Sequence, residues 1–139
     1  MEYKLLEEKD LALMREVMED DRMEHDPDHL QKFIDTPNAY GFAAKTEGRI
    51  IGFAYAYRLV RPDGKSMFYL HSIGMLPQYR NSGYGTQLLS YIKEYSRSIG
   101  CSEMFVITDK GNPAACHVYE KLGGKSDHEN EIVYVYDYE

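Results

Sequence analysis

The chain has 139 residues, of which 43% are hydrophobic and 28% are charged, and its formal net charge at pH 7 is −7. This length predicts one domain over residues 1–139, and the composition argues against disordered and fibrous classes. The negative charge disfavours a nucleic-acid binder, which normally presents a basic face to phosphate. Since no apolar run approaches the roughly 20 residues of a membrane helix, we expect a soluble, cytoplasmic protein with no membrane partner.

The first third of the chain predicts one strand followed by two helices. A short strand over residues 2–6 comes first. Apolar residues at helical spacing then predict a helix from Lys9 to Glu19, with Asp10 as its N-cap. A second helix begins around Pro27 and ends before Pro37. The order of elements therefore begins β-α-α.

Three strand patterns follow. Side chains alternate with period two, and turn signals separate the segments. The pattern predicts strands over Ala39–Lys45, Arg49–Val60 and Met67–Met75. Because short turns connect them, we expect an antiparallel meander.

The second half alternates helix and strand. An amphipathic helix ends at Gly100, and strand Glu103–Thr108, helix Asn112–Leu122 and a final strand over Ile132–Tyr138 follow. The complete order is β-α-α-β-β-β-α-β-α-β. It predicts an α/β (α+β) fold with a mixed, mostly antiparallel sheet of six to seven strands and about four helices.

Two glycines two residues apart stand between the third meander strand and the long helix. Gly83 and Gly85 allow close approach of a ligand to the backbone, and a helix N-terminus adds positive potential, so the segment suits a diphosphate. Arg80 supplies a positive charge. A Walker A lysine is absent, and Leu88 stands where a dinucleotide fingerprint has its third glycine. Considered alone, the motif is also compatible with a simple strand-to-helix turn.

A second motif lies downstream of the glycine segment, and the two together resemble a known family. Arg80-x-x-Gly83-x-Gly85, followed by Asn112-x-x-Ala115-x-x-x-Tyr119, resembles the coenzyme A motifs of the GNAT acetyltransferase superfamily. The resemblance covers essentially the whole chain. It implies a GNAT fold and transfer of an acetyl group from acetyl-CoA to an amine by direct attack, with no metal and no covalent enzyme intermediate.

The resemblance also assigns a cofactor site. Backbone N–H groups at a bulge or end of the third meander strand would bind pantetheine and polarise the acetyl carbonyl, and Arg80 would shape or contact the pyrophosphate loop. The strand residues are Ile73, Gly74 and Met75, and the loop residues are Asn81, Ser82, Gly83, Tyr84, Gly85 and Thr86. Asn112 and Ala115 would face the cofactor from the following helix. Asn112 is equally suited to an N-cap role.

Three residues are candidates for proton transfer. The resemblance gives Tyr119 the role of general acid toward the departing thiolate, and a packed core tyrosine is the alternative. The attacking amine arrives mostly as ammonium, since its pKa is near that of lysine. His71 and Asp109 are candidates to accept its proton, directly or through water. A plain sheet histidine and a turn aspartate are equally compatible with these positions.

The acceptor is indicated by acidic residues between Glu19 and Asp28. The resemblance to the superfamily implies that this segment borders the acceptor groove, with Glu24, Asp26 and also Asp109 as candidate ligands of a cationic substrate. A solvated acidic loop is the alternative. Segments such as Thr108 to Ala114 are similar to those of aminoglycoside 3-N-acetyltransferases. The resemblance therefore implies a cationic small molecule such as an aminoglycoside, in an antibiotic-resistance role.

Two other functions remain open at this point. One is acetylation of a protein N-terminus or lysine, and the other is a non-catalytic coenzyme A-binding module. The presence of Tyr119 and of the candidate bases argues against the module. Family members are often dimers, so the resemblance also implies a homodimer.

Overall fold

The structure is a computed structural model that describes residues 1–126 and 130–139. These residues form two compact units, 1–108 and 109–139. The first unit contains five strands, three α-helices and two short 3₁₀ helices. In chain order they are β1 (Glu2–Leu5), a 3₁₀ helix (Glu8–Leu13), α1 (Arg15–Asp20), α2 (Pro27–Ile34), β2 (Ala39–Thr46), β3 (Arg49–Val60), β4 (Ser66–Met75), a 3₁₀ helix (Pro77–Tyr79), α3 (Tyr84–Ser98) and β5 (Glu103–Val106). The second unit contains α4 (Pro113–Lys121).

The five strands form one sheet in the order β1-β2-β3-β4-β5. Strands β1 to β4 are antiparallel neighbours, as the meander pattern predicts. Strand β5 lies parallel to β4, because helix α3 carries the chain back across the sheet. The mixed, mostly antiparallel sheet is confirmed, although the described residues contain five strands where the sequence predicted six to seven.

The sheet presents two faces with different coverings. Helix α3 packs on one face, where Phe42 and Phe68 meet the rings of Tyr91 and Tyr95. On the other face, Phe33 of α2 contacts rings that project from β3. Buried side chains from both layers make the core of this unit, including Met14, Phe42, Ile50, Ile51, Phe68, Leu70, Leu88 and Ile92.

The predicted helix from Lys9 to Glu19 is interrupted. A 3₁₀ helix runs to Leu13, and α1 begins at Arg15. The Leu11 carbonyl accepts from Met14 N at 3.4 Å and lies 3.1 Å from His25 Nε2. This carbonyl would accept from Arg15 in a continuous α-helix. The long-range contact with His25 is invisible to local periodicity, which explains the error.

Asp10 is inside the 3₁₀ helix and does not cap it. Its side chain is fully buried and accepts from the backbone N–H of Glu7, which occupies the N-cap position. The Nζ atoms of Lys4 and Lys45 lie 2.8 and 3.1 Å from its two oxygens. Asp10 therefore ties the 3₁₀ helix to β1 and β2 through a buried ionic cluster.

The predicted strand over Ile132–Tyr138 is wrong, because these residues carry no strand pairing in the structure. Their large apolar side chains are exposed, from 69% for Val133 to 93% for Tyr138. Strand β5 is also shorter than predicted and ends at Val106. Alternating side chains favour a β-strand, but a strand forms only where a neighbouring strand pairs with it.

The other predicted ends are close to those observed. Helix α4 ends as predicted at the glycine pair, where Gly123 adopts φ +90° and Gly124 N donates to Tyr119 O at 2.9 Å. No helix in the described ranges is long and apolar enough to cross a membrane.

Candidate active site

Strand β4 continues beyond the point where β5 stops pairing with it. The last residue pair of the two strands is Leu70 with Val106, whereas β4 runs on to Met75. The backbone of β4 after Leu70 therefore has β3 on one side and no β5 partner on the other. This open edge lies at the carboxyl ends of two parallel strands, a common place for ligand binding in mixed sheets.

Strand geometry fixes which amides face the open side. Leu76 N donates to Ile51 O at 2.8 Å, toward β3. Backbone groups alternate along a strand, so those of Ile73 and Met75 are directed away from β3. Accordingly, the Met75 carbonyl accepts a hydrogen bond from Arg80 Nε at 2.9 Å. The N–H groups of Ile73 and Met75 thus face the gap, as the sequence-based hypothesis requires.

Gly74 lies between these two residues. A Cβ atom built at Gly74 would meet no heavy atom within 4 Å. The protein's own packing therefore does not require glycine there. The open space beside the strand leaves the backbone accessible to a ligand.

A β-bulge separates the paired and open parts of β4. Tyr55 pairs with Ser72 and Ala56 pairs with Leu70, so His71 is the additional residue. The imidazole of His71 contacts the Tyr55 ring at 5.1 Å, and Ser72 Oγ donates to Asp21 Oδ2 at 3.3 Å. Both side chains consequently project from the face that carries α1 and α2.

The glycine loop joins β4 to α3. Asn81 and Gly83 adopt left-handed conformations, with φ of 60° and 84°, and α3 begins at Tyr84. Gln87 N donates to Gly83 O at 3.1 Å, and no side chain caps the helix. The amides of Tyr84, Gly85 and Thr86 therefore have no acceptor within α3. Amides at a helix N-terminus are suited to binding an anion, and the pyrophosphate site named from the sequence stays a prediction.

Arg80 holds this loop in place. Its Nη2 atom lies 2.9 Å from Asp20 Oδ2 at the end of α1, while its Nε atom binds the Met75 carbonyl. Both contacts reach elements outside the loop. These contacts shape the loop, and Asp20 offsets the charge of Arg80. A direct contact of Arg80 with a cofactor stays a prediction.

A cavity of about 240 Å³ lies against the open edge of β4. Two acidic side chains, Asp20 and Asp21, line it together with Ser72 and Arg80. Asp20 is paired with Arg80, whereas Asp21 accepts from the neutral hydroxyl of Ser72. The negative charge of Asp21 is thus available to a cation in the cavity.

The acidic residues named from the sequence take other positions. Asp26 caps α2, with its Oδ1 accepting from Asp28 N at 2.9 Å, and Glu24 is exposed and outside the cavity lining. Asp20 and Asp21 of the same acidic run line the cavity instead. Local sequence could not show which carboxylates of the run turn toward β4, and the substrate-binding roles of Glu24 and Asp26 stay predictions.

His71 has a hydrogen-bond partner on its own strand. The Tyr69 hydroxyl lies 2.8 Å from His71 Nδ1, and the imidazole is exposed. This contact fixes the ring orientation and leaves Nε2 as the nitrogen for an external partner. The geometry is compatible with a proton acceptor, and the sequence-based assignment stays a prediction.

The second unit contains the other predicted site residues. Asp109 Oδ1 accepts from Gly111 N at 2.6 Å, so this side chain has a turn role. Asn112 Oδ1 accepts from Ala115 N at 3.2 Å and caps α4. Tyr119 is partly buried; burial raises the pKa of its phenol, and Cys116 raises it further. A raised pKa keeps this phenol protonated at neutral pH.

Together, these features define a mixed sheet in which an open strand edge is followed by a glycine loop and a helix N-terminus with unpaired amides. A model of the Acetyltransferase (GNAT) family matches residues 11–124. The chain belongs to this family. The resemblance stated from the sequence is therefore confirmed, and the matched range extends across both compact units.

The individual curated relatives share about 30% sequence identity with this chain. The chain is 28% identical over 82 residues to the thialysine N-ε-acetyltransferase of Mus musculus, an overlap of 59% of this chain and 48% of the relative. It is 31% identical over 100 residues to the aminoglycoside N(6′)-acetyltransferase type 1 of Salmonella typhimurium, with 69% and 63% covered. The chain thus spans about half to two thirds of the length of these curated relatives.

Solved structures share the fold over nearly the whole chain. An aminoglycoside acetyltransferase from an uncultured soil metagenomic sample, crystallised with sisomicin, superposes with a TM-score of 0.82. The two chains are 25% identical, with 98% of this chain and 94% of the other covered. The similarity to aminoglycoside acetyltransferases is consistent with the sequence resemblance, although the Salmonella relative carries the 6′ designation where the sequence suggested the 3-N subgroup.

Proposed function

We propose that this protein transfers the acetyl group of acetyl-CoA to a primary amine of a cationic small molecule. The observation that carries the proposal is the position of the open β4 edge beside the acidic cavity. Donors for an acetyl carbonyl and a carboxylate for an ammonium group therefore meet in one unit of the protein. Aminoglycosides are the first class to test, because relatives bear that name.

The glycine loop suits the pyrophosphate of acetyl-CoA. Amides from Asn81 to Thr86 lie in the loop and the first turn of α3, and Gly83 supplies the left-handed conformation that the turn needs. Bound there, acetyl-CoA supplies an acetyl group activated as a thioester. Asn112 and Ala115 are further cofactor contacts in this proposal, on the strength of the family motif.

The open edge of β4 would act on the acetyl carbonyl. The N–H groups of Ile73 and Met75 are preorganised donors, since β3 and Arg80 hold the strand end in place. Donors of this kind stabilise negative charge that develops on an oxygen during acyl transfer. They need no reorganisation when the amine attacks.

The acceptor would bind as an ammonium group against Asp21, with Glu24 and Asp26 adding negative potential from the adjoining segment. Its proton must leave before attack. His71 would take it at Nε2, directly or through water, in the tautomer whose Nδ1–H donates to the Tyr69 hydroxyl. Asp109 is the second candidate for this step and for binding the amine.

Tyr119 would return a proton to the departing thiolate. A phenol with a raised pKa is protonated at neutral pH and can serve as a donor. Transfer of that proton would make coenzyme A leave as a neutral thiol. This role rests on the family motif that Tyr119 shares with Asn112.

The central test measures thiol release from acetyl-CoA with a panel of aminoglycosides, polyamines and peptides. We expect turnover with a cationic small molecule. Preference for peptides would instead support a protein acetyltransferase. Coenzyme A binding without turnover on any amine would support a non-catalytic module and contradict the proposal.

Asp21→Asn tests the acceptor side of the site. Loss of this charge should raise KM for a polycationic acceptor about tenfold, or ~1.4 kcal/mol, while KM for acetyl-CoA stays unchanged. Glu47→Gln is a charge-matched control on the exposed β2–β3 turn. If KM for the acceptor is equal in the two variants, Asp21 does not bind the acceptor.

A homodimer and a cytoplasmic location complete the proposal. The exposed apolar side chains between Ile132 and Tyr138 support the dimer, because monomeric proteins rarely leave large contiguous apolar patches in water. The cytoplasmic location remains a prediction from the sequence.

A further inference from the structure

A second hollow, mostly apolar, adjoins the acidic cavity. It measures about 210 Å³, and Phe53 lines both spaces. We name it the aromatic pocket. Its walls come from α2, β3 and the segment after α1, and the residues are Met18, Met23, His29, Leu30, Phe33, Phe53, Tyr55 and Tyr57.

Ring geometry shows that the wall of this pocket is ordered. The Phe33 ring stands edge-on to Tyr55 and Tyr57, with interplanar angles of 85° and 88° and centroid separations of 6.0 and 6.2 Å. Phe53 and Tyr55 are stacked at 5.7 Å. These pairings are favourable and restrain the rings. The wall is therefore a preformed surface.

Three of these rings are incompletely covered. Phe33, Tyr55 and Tyr57 are only partly buried, although exposing an aromatic ring to water is unfavourable. The hollow between them is larger than the ~150 Å³ cavity that holds benzene in an engineered protein. Its size suits a single ring or a branched alkyl group with a short linker.

The carboxylate of Asp21 beside the aromatic pocket favours an occupant that also carries a positive charge. Asp21 lies in the adjoining cavity and interacts electrostatically with Tyr55. Burial raises the pKa of Tyr55, with Tyr57 and then Asp21 adding to the effect. The neighbourhood thus combines an apolar wall with an uncompensated carboxylate, which is complementary to a molecule with an apolar group at one end and an ammonium group at the other.

We propose that the acceptor is a primary amine attached by a short linker to an aromatic or branched alkyl group, which occupies the aromatic pocket while the ammonium group lies against Asp21. This inference rests on the proposed function and narrows its substrate class. Within the acceptors named above, it therefore ranks aminoglycosides, whose rings are polyhydroxylated, below apolar amines, because most of the wall cannot form hydrogen bonds with hydroxyl groups.

The kinetic test compares 2-phenylethylamine with glucosamine, two primary amines that differ in the polarity of the ring. The quantity of interest is the ratio of their kcat/KM values, and how it changes between the wild type and variants. Intrinsic differences in amine reactivity cancel in that change. We expect Phe33→Ala to lower the ratio at least tenfold, because it removes the central ring of the wall.

Ile34→Ala is the matched control, since Ile34 lies on the same helix but outside the pocket lining. Its ratio should equal that of the wild type. If Phe33→Ala fails to fold, Met23→Gln places a polar group of similar length in the wall and should also lower the ratio. A ratio that neither variant changes would overturn the proposal.

Binding measured without acetyl-CoA separates this inference from the proposed function. Titration with 2-phenylethylamine should shift the NMR resonances of Phe33, Tyr55 and Tyr57. These shifts without acetylation of any amine would overturn the proposed function and leave the pocket assignment standing. Acetylation of both amines without these shifts would overturn the pocket assignment alone, and failure of both measurements would overturn both.

Discussion

Gly83 and Gly64 share a backbone conformation and differ in location. Both have left-handed φ values, of 84° and 81°, and a Cβ atom at either would meet nothing within 4 Å. Alanine should therefore destabilise each position through φ alone, by ~1–2 kcal/mol. Thermal unfolding should show similar losses in Gly83→Ala and Gly64→Ala.

The same pair of variants tests the anion site. Only Gly83 lies in the loop that presents amides at the start of α3, so Gly83→Ala should also raise KM for acetyl-CoA about tenfold. Gly64→Ala, in the turn before β4, should leave that KM unchanged. A similar KM in both variants would mean that the glycine loop serves folding alone.

Tyr119 gives a prediction with a defined pH dependence. Tyr119→Phe should reduce kcat about 100-fold if the phenol is the general acid. Burial raises the pKa of this phenol above 10, so the wild type should keep its proton at neutral pH and lose activity only as the pH rises through that raised value. The alkaline limb of the kcat profile should be absent in the variant. An unchanged kcat with an efficient substrate would assign Tyr119 to packing.

Asp10 shows how a buried charge links elements that are distant in sequence. Burial by itself would raise its pKa, but hydrogen bonds from Lys4, Glu7 N and Lys45 outweigh that effect and lower it below 3.8. Asp10→Asn should destabilise the protein by ~3 kcal/mol, because two partly buried lysines lose their partner. Lys9→Met, on the exposed side of the same 3₁₀ helix, is the control for a change in this segment.

The sign of the pH effect follows from the lowered pKa. The unfolded state binds the proton of Asp10 more readily than the folded state does. Its stabilisation is therefore fully present above the unfolded pKa of about 4 and is lost as the pH falls through the lower folded value. Denaturant unfolding of the wild type and of Asp10→Asn should converge at low pH. Parallel profiles would contradict this account.

At the scale of elements, sequence periodicity located the four α-helices and five strands of the described residues, but it merged α1 with the preceding 3₁₀ helix and did not indicate the 3₁₀ helix Pro77–Tyr79. It worked for strands such as β3 because large and small side chains alternate along them, although both faces of β3 are buried. It misjudged residues 9–19 because the carbonyl of Leu11 meets His25, a contact that no local pattern contains. It also could not reveal the gap between β4 and β5, since strand patterns do not record how far two strands remain paired.

The start of α4 offers a test that separates a cap from a ligand contact. Asn112 Oδ1 accepts from Ala115 N, and an aspartate could accept in the same way. Asn112→Asp should therefore keep thermal stability and, if the amide NH₂ contacts the cofactor, should raise KM for acetyl-CoA. Asn112→Ala should lose ~1 kcal/mol of stability as well. An unchanged KM in Asn112→Asp would restrict this residue to the capping role.

At the scale of the whole molecule, the net charge of −7 and the proposed use of a polyanionic co-substrate are compatible because the charges are arranged locally. The loop that would hold the pyrophosphate offers backbone amides and needs little formal positive charge, since Arg80 is paired with Asp20. The carboxylates of the acidic cavity would face the other proposed partner, a cationic amine. The acidic segment between Glu19 and Asp28 suggested the charge of that acceptor, but the sequence did not reveal the aromatic pocket.

The exposed segment from Ile132 to Tyr138 is the feature of the whole molecule with the clearest energetic consequence. Six of its seven side chains are large, apolar or aromatic, and exposed, and burying them against a second copy would remove a large apolar area from water. We therefore expect light scattering after size exclusion to give the mass of a dimer at micromolar concentration. Val135→Asp should shift it toward the 16.1 kDa monomer, while Asp137→Asn, in the same segment, should not. A monomeric wild type at every concentration would contradict the homodimer and would require another partner for this segment.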